Sequence, residues 1–234
     1  MHWLKLIRAS ELFQEHVQDD KSYTTHMKER KPAEWELDQG PSDPELALLF
    51  TFLNQWGTHC PSDPRCRASF GEAYKHVLQR LRLLEGCDLL EARFDGEVAD
   101  GKTLSDTIQE VFEALATANR KLTKRYESTA TSKILHVLRP QLFVMWDTAI
   151  RSGYAVKEGS ESSEYGSWFL PRMQREAREA VDSFVADTKS ERGVAVQELE
   201  KRAEENLGEK RFITKLLDEY NWCKFRLGCR ELWE

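Results

Sequence analysis

No apolar run in these 234 residues approaches the length needed to span a bilayer, which argues against an integral helical membrane protein. The opening segment Met1-His2-Trp3-Leu4-Lys5-Leu6-Ile7-Arg8 is too short, and turns polar too soon, for a secretory signal. A cytoplasmic protein with no membrane partner is the expectation. Cysteine is sparse: five residues, an odd number in a chain of this length, do not make a disulfide scaffold. Cys60 and Cys66 are separated by five residues, as are Cys223 and Cys229, and nothing nearby completes a four-ligand set. Reduced structural thiols are expected, with no metal. Also missing are a Ser–His–Asp set, a Walker loop, an HExxH helix, a paired CxxC and clustered carboxylates for a metal. No cofactor is expected, and a metal-dependent nuclease loses ground. No alternating apolar–polar run is long enough for a sheet, although Arg93 to Val98 suits a short hairpin arm.

What is present is helical periodicity in an ordinary globular composition, 40% hydrophobic and 32% charged. Ser42-Asp43-Pro44 is a helix start, followed by Leu46, Leu49, Phe50, Leu53 and Trp56 on one face and a stop at Gly57. Phe70, Ala73, Tyr74, Val77, Leu78 and Leu81 form the next stripe, ending near Gly86. Residues 87–103 read as loop, with turn signals at Asp95-Gly96 and Asp100-Gly101. Ile108, Val111, Phe112 and Leu115 define a third helix, Lys133 to Leu138 a fourth, and Asp147 opens a fifth. Gly159 to Ser163 reads as an exposed linker before a long helix carrying Leu170, Met173, Ala177, Ala180, Val181 and Phe184. A charged helix over about 191–206 and a last helix with Ile213, Leu216, Leu217, Tyr220 and Cys223 inward complete the chain. The expected fold is all-α: one unit built as a two-lobed helical bundle with a cleft. The lobes fall at about 44–140 and 141–234, with 1–43 packing on the latter.

The net charge of −6 argues mildly against a polyanionic partner, but its distribution argues back. Residues 119–157 hold eight basic side chains (among them Lys121, Lys124, Arg125 and Arg151) and two acidic ones, a net +6 against −12 elsewhere. A basic patch on an acidic body is a plausible phosphate footprint, and solvated helix faces are the plainer account.

The densest chemistry lies between Thr131 and Arg151. Lys133 opens a short helix that Thr131 or Ser132 can cap. The apolar run Leu142-Phe143-Val144-Met145-Trp146 then buries the connection, and Asp147 sits where the next helix begins. This order brings two helix N-termini toward one cleft with an amine, a carboxylate and unpaired N–H groups. A carboxylate at a helix start favours its charged form and suits stabilising a developing cation, although Asp is also among the best plain N-caps. A cation at a helix start is electrostatically misplaced, which favours a functional Lys133 over a solvated one.

This lysine, buried run and aspartate resemble the helix-hairpin-helix DNA glycosylases, in particular the 8-oxoguanine-glycosylase-like branch with its bacterial anti-phage members. The resemblance covers roughly thirty residues. Tyr126 to Ser132 carries no glycine where that family has a glycine-rich hairpin. It implies that Lys133 attacks the sugar carbon and that Asp147 stabilises the sugar cation or activates the nucleophile. The substrate would be double-stranded DNA with a modified base, an oxidised purine or a bulky modified cytosine of phage DNA, excised by a monomer in repair or antiviral defence. Lys121, Lys124, Arg125, Thr131, Ser132 and Arg151 would contact the DNA.

A flipped base needs a flat apolar wall and a few edge-reading groups. Asn54, Gln55, Trp56 and His59 at the end of an early helix offer both, with Trp168 and Trp222 as rival walls, although tryptophans on helical stripes are usually core. His136, flanked by apolar residues, reads as a packed histidine. The alternative to an enzyme is an all-helical module that binds DNA or a protein, with Asp147 as a plain cap.

Overall fold

The computed structural model describes residues 1–17, 23, 40–58 and 63–229. His59 and Cys60 lie outside the described residues. The chain is mostly helical, and several of its helices begin where the sequence supplies a side-chain cap. Helix α1 (Trp3–His16) buries Trp3, Leu6, Ile7 and Phe13. Helix α2 (Asp43–Gln55) starts with a capping box in which Ser42 N–H donates to Glu45 Oε2 at 2.6 Å. Helix α3 (Pro64–Leu83) is capped by Asp63, which accepts Arg65 N–H at 2.8 Å.

A two-stranded antiparallel hairpin follows, β1 (Glu97–Ala99) with β2 (Lys102–Thr103). Asp100 and Gly101 both take positive φ, 54° and 73°, as a tight two-residue hairpin turn requires. The hairpin therefore sits slightly later than the arm expected over Arg93–Val98. It leads directly into α4 (Leu104–Thr117), capped reciprocally by Thr103 and Asp106.

Next come α5 (Arg120–Thr123), α6 (Ser128–Leu138) and α7 (Thr148–Gly153). Helix α6 begins five residues before Lys133, so the lysine lies inside the helix and not at its start. Thr131 and Ser132 are helical and buried, not caps. Residues 161–188 form one continuous helix: α8 (Glu161–Glu164), a π-helical turn π1 (Tyr165–Phe169) and α9 (Leu170–Thr188). The stretch expected as an exposed linker therefore starts this helix, with Ser162 buried. Helix α10 (Ala195–Leu207) ends at Gly208 in the left-handed region. Helix α11 (Ile213–Trp222) continues into a second π-helical turn, π2 (Cys223–Leu227).

Helix α1 packs on α9, α10 and α11, and α2 packs on α3 and α6. Helix α4 joins the two groups, touching α3 and α6 on one side and α8 and π1 on the other. Gly166 permits the last contact, since a Cβ there would lie 2.9 Å from the Ser105 carbonyl. Among the described residues no helix is long and apolar enough to cross a membrane. Cys66, Cys87, Cys223 and Cys229 are free thiols, and no three His, Cys, Asp or Glu side chains among the described residues are grouped to hold a metal.

Candidate functional site

The run Leu142–Trp146 is fully buried. Trp146 packs against Phe112, Tyr165 and Phe169, with centroids 6.1, 4.9 and 4.9 Å away. Ser132 reaches across from α6: its hydroxyl accepts Trp146 N–H at 3.2 Å and lies 3.0 Å from the Trp146 carbonyl. This anchoring sets Asp147 at the mouth of a cleft of about 540 Å³. The starts of both α6 (Glu127, Ser128, Thr129) and α7 (Asp147, Thr148) line it. The buried connection thus does bring two helix N-termini to one cavity.

Lys133 lines the same cleft. Its Nζ donates to the Trp56 carbonyl at 2.7 Å and lies 5.0 Å from the Trp56 ring. Trp56 and Trp222 contribute indoles from α2's end and from α11, and Gln55 stands at the rim. Trp56 is stacked on Tyr23, centroids 5.3 Å apart, and Tyr23 hydroxyl meets His136 Nε2 at 2.8 Å. His136 Nδ1 is 2.7 Å from the Phe143 carbonyl, so this histidine is buried and spent on structure. The indole N–H groups of Trp56 and Trp146 and Oε1 of Glu127 are buried without hydrogen-bond partners.

Asp147 acts on two fronts. Oδ1 accepts Ile150 N–H at 2.8 Å, the N-cap bond, and Oδ2 is 3.1 Å from Arg226 Nη1 of π2. Its side chain is 16% exposed and that of Arg226 58%. Arg151 donates to Thr129 and Thr148 hydroxyls at 2.8 and 3.2 Å and lies over Trp146. An adjoining open groove shares Tyr126, Glu127, Ser128, Thr148 and Arg151 with the cleft. It extends to Arg120, Lys124 and Arg125, with Glu113, Glu158 and Glu161 interspersed.

No family model, curated protein or solved structure matches this chain.

Several expected site residues stand elsewhere. Asn54 is exposed on α2 and does not line the cleft. Trp168 belongs to a separate cluster, edge-on to Tyr154 at 5.5 Å and beneath Arg172. Thr131 and Ser132 are too buried to meet DNA. Lys121 is exposed but lines neither the cleft nor the groove.

The sequence reading missed Arg226, Glu127 and above all Asp218, which also lines the cleft. Every residue from Ile213 to Asn221 is buried. The charges of α11 are therefore inside: Lys215 Nζ is 3.3 Å from Asp218 Oδ2 and 3.0 Å from Glu219 Oε1. Glu219 also takes Arg211 Nε at 3.2 Å and the Ser10 hydroxyl. Burial pushes the Asp218 carboxyl up to about 6, with Lys215 and Lys133 opposing and Glu219 adding to the rise. The signal available in advance was the spacing Arg211, Lys215, Glu219, two cations and then an anion at i,i+4 intervals.

Proposed function

We infer that the chain is a DNA glycosylase that takes a modified base into the cleft and cleaves its N-glycosidic bond, leaving an abasic site. One observation carries this reading: a single cavity joins an amine, three carboxylates and three tryptophans, and adjoins a groove with four basic side chains. Its volume of about 540 Å³ falls within the roughly 300–1,000 Å³ of clefts that take small organic groups. A flipped base would lie against Trp56 or Trp222, with its polar edges read by Gln55. Asp147 would stabilise the cationic sugar, and Lys133 would supply the attacking amine. Phosphates would follow Arg120, Lys124, Arg125 and Arg151. The resemblance of Lys133, the buried run and Asp147 to the helix-hairpin-helix glycosylases supports the same reading, as a monomer acting on double-stranded DNA in the cytoplasm.

A second reading has its own observation. Both oxygens of Asp147 are engaged, one on the helix cap and one on Arg226, as in a purely structural N-cap. A non-enzymatic DNA- or protein-binding module would need no more. The deciding experiment incubates the protein with duplexes carrying oxidised purines and with modified phage DNA, then cleaves with alkali at abasic sites. Strand breaks that depend on Asp147 support the glycosylase. Binding without breaks on every substrate supports the module.

A further inference from the structure

Three carboxylates line the cleft, Glu127, Asp147 and Asp218, and the last two stand in unlike surroundings. Asp147 has both oxygens committed, to Ile150 N–H and to Arg226. Asp218 has Oδ2 on Lys215 at 3.3 Å, while its other oxygen has no partner among the described residues. Its side chain keeps 11% exposure in the cleft that it lines with Lys133. We propose that Asp218 is the proton acceptor for the Lys133 amine, a role that rests on the base-excision reading above.

The surroundings of Asp218 fit that role. Lys133 Nζ and Lys215 Nζ lie 5.0 and 4.9 Å from the Trp56 ring, so two ammonium groups gather round one indole. The charge of Lys133 is felt at Asp218, where it favours the ionised form. Glu219 is saturated by Arg211, Lys215 and Ser10 and is fully buried. Glu127 also lines the cleft, but the cation that acts on it is Arg125. Asp218 is therefore the cleft carboxylate on which the charge of Lys133 acts. The other titratable groups that sense it are Tyr165 in π1 and Cys223 in π2, whose protons its charge helps to retain. Burial that lifts the carboxyl to about 6 makes it a stronger base than an exposed aspartate, closer to the pH at which it would work. Two carboxylates in divergent environments then divide the labour, Asp147 held by the Ile150 N–H and Arg226 and Asp218 carrying the proton.

In the step itself, a proton passes from the Lys133 ammonium to the Asp218 carboxylate. The freed nitrogen lone pair forms the bond to the sugar C1′ as the C1′–base bond breaks, and that electron pair leaves with the base. The Asp218 proton then goes to the departing base nitrogen, restoring the carboxylate and leaving a lysine–sugar aminal protonated at nitrogen. Transfer of one of those nitrogen protons to O4′ as the C1′–O4′ bond breaks opens the sugar ring and gives the cationic Schiff base that borohydride reduces.

Two measurements test this. Without DNA, carbon NMR follows the Asp218 carboxyl from pH 4 to 9. The expected inflection near 6 moves upward in Lys133→Met, because a favourable cation is removed. An inflection that Lys133→Met leaves unmoved overturns the pairing, and this arm holds even if an Asp218 variant fails to fold. With DNA, borohydride trapping of the adduct is timed across the same pH range. Asp218→Asn should slow trapping by about 100- to 10,000-fold and remove the acid limb of the profile, with Asp218→Glu recovering part of both. Trapping by Asp218→Asn at the wild-type rate and profile overturns the proposal. If wild type traps and excises nothing while the inflection still moves with Lys133→Met, the excision reading falls and the proton pair stands.

Discussion

The Ser132 hydroxyl accepts the Trp146 N–H at 3.2 Å, deep in the protein and one residue before Asp147. The bond ties the middle of α6 to the segment that delivers the carboxylate, so the placement of Asp147 depends on a serine with no exposure of its own. Ser132→Ala leaves that buried N–H and the Trp146 carbonyl without the hydroxyl. The expected loss is about 1–3 kcal/mol in urea unfolding, with excision reduced because Asp147 is less firmly held. A variant as stable as wild type would show that the two elements are fixed by packing alone.

Asp147→Asn separates the chemical role from the structural one. The amide oxygen can still accept Ile150 N–H, now 2.8 Å from Oδ1, so the cap persists. The pair with Arg226 that it removes is solvent-facing on the Arg226 side, and solvent-screened pairs of this kind contribute about 1 kcal/mol. Stability should therefore change little, while excision falls by several orders of magnitude if the charge stabilises the sugar cation. Near-wild-type excision would return Asp147 to the role of a cap.

The groove predicts which cations matter for DNA. Lys124→Glu and Arg125→Glu alter its lining and should weaken binding to all sequences alike. The salt slope should flatten by about one for each phosphate that is no longer neutralised. Lys121→Glu, one turn away and outside the groove, should do little. Equal losses for all three, measured by titration at several salt concentrations, would mean that net charge and not the groove governs binding.

The burial of the Leu142–Trp146 run and the cap at Asp147 were legible because both follow from short-range rules, an apolar run that must be covered and a residue type suited to a helix start. The start of α6 was not. Ser128 to Ser132 are polar or small and read as loop, yet their burial against α4 and the Trp146 segment makes them helical. Once the helix begins at Ser128, the electrostatic misfit that singled out Lys133 disappears, and the lysine's claim rests on the cleft it lines. Asp218 was hidden for a different reason. Amphipathic reasoning assigns charges to solvent, and it fails on a helix that is enclosed on all sides and satisfies its charges by pairing them. The joining of Trp56 and Trp222 in one cavity, and the exclusion of Trp168, depend on long-range packing that no local pattern encodes.

Glu200 offers a test of burial by pH. Its carboxylate accepts Ile213 N–H at 2.9 Å, bracing the start of α11, yet burial lifts it to about 7 from an ordinary 4.5. The folded state therefore holds the proton more tightly than the unfolded chain. The stability linked to this group is present below pH 4.5 and is lost as the pH rises through about 7. Glu200→Gln keeps the acceptor and removes the titration. It should match wild type at pH 4 and exceed it at pH 8 by on the order of 2 kcal/mol. Urea midpoints that stay parallel across this range would show that Glu200 is hydrated in the folded state.

Gly153 closes α7 where π2 passes closest. A Cβ at this position would lie 2.1 Å from Phe225 Cδ1 and 2.5 Å from both Cγ and Cε1. The ring also packs edge-on to Tyr154, with centroids 4.7 Å apart, and this limits its retreat. The turn that carries Phe225 also carries Arg226, so moving one moves the other away from Asp147. Gly153→Ala is therefore expected to cost about 1–3 kcal/mol through overpacking and to break the Arg226–Asp147 pair. Arg226→Ala removes the same pair without the strain. If the pair matters for excision, both variants should change the rate in the same direction while only Gly153→Ala lowers the unfolding midpoint appreciably. A Gly153→Ala protein of unchanged stability would mean that π2 yields freely. The cleft would then be open to adjustment from that side, and Arg226 would not be a fixed partner of Asp147.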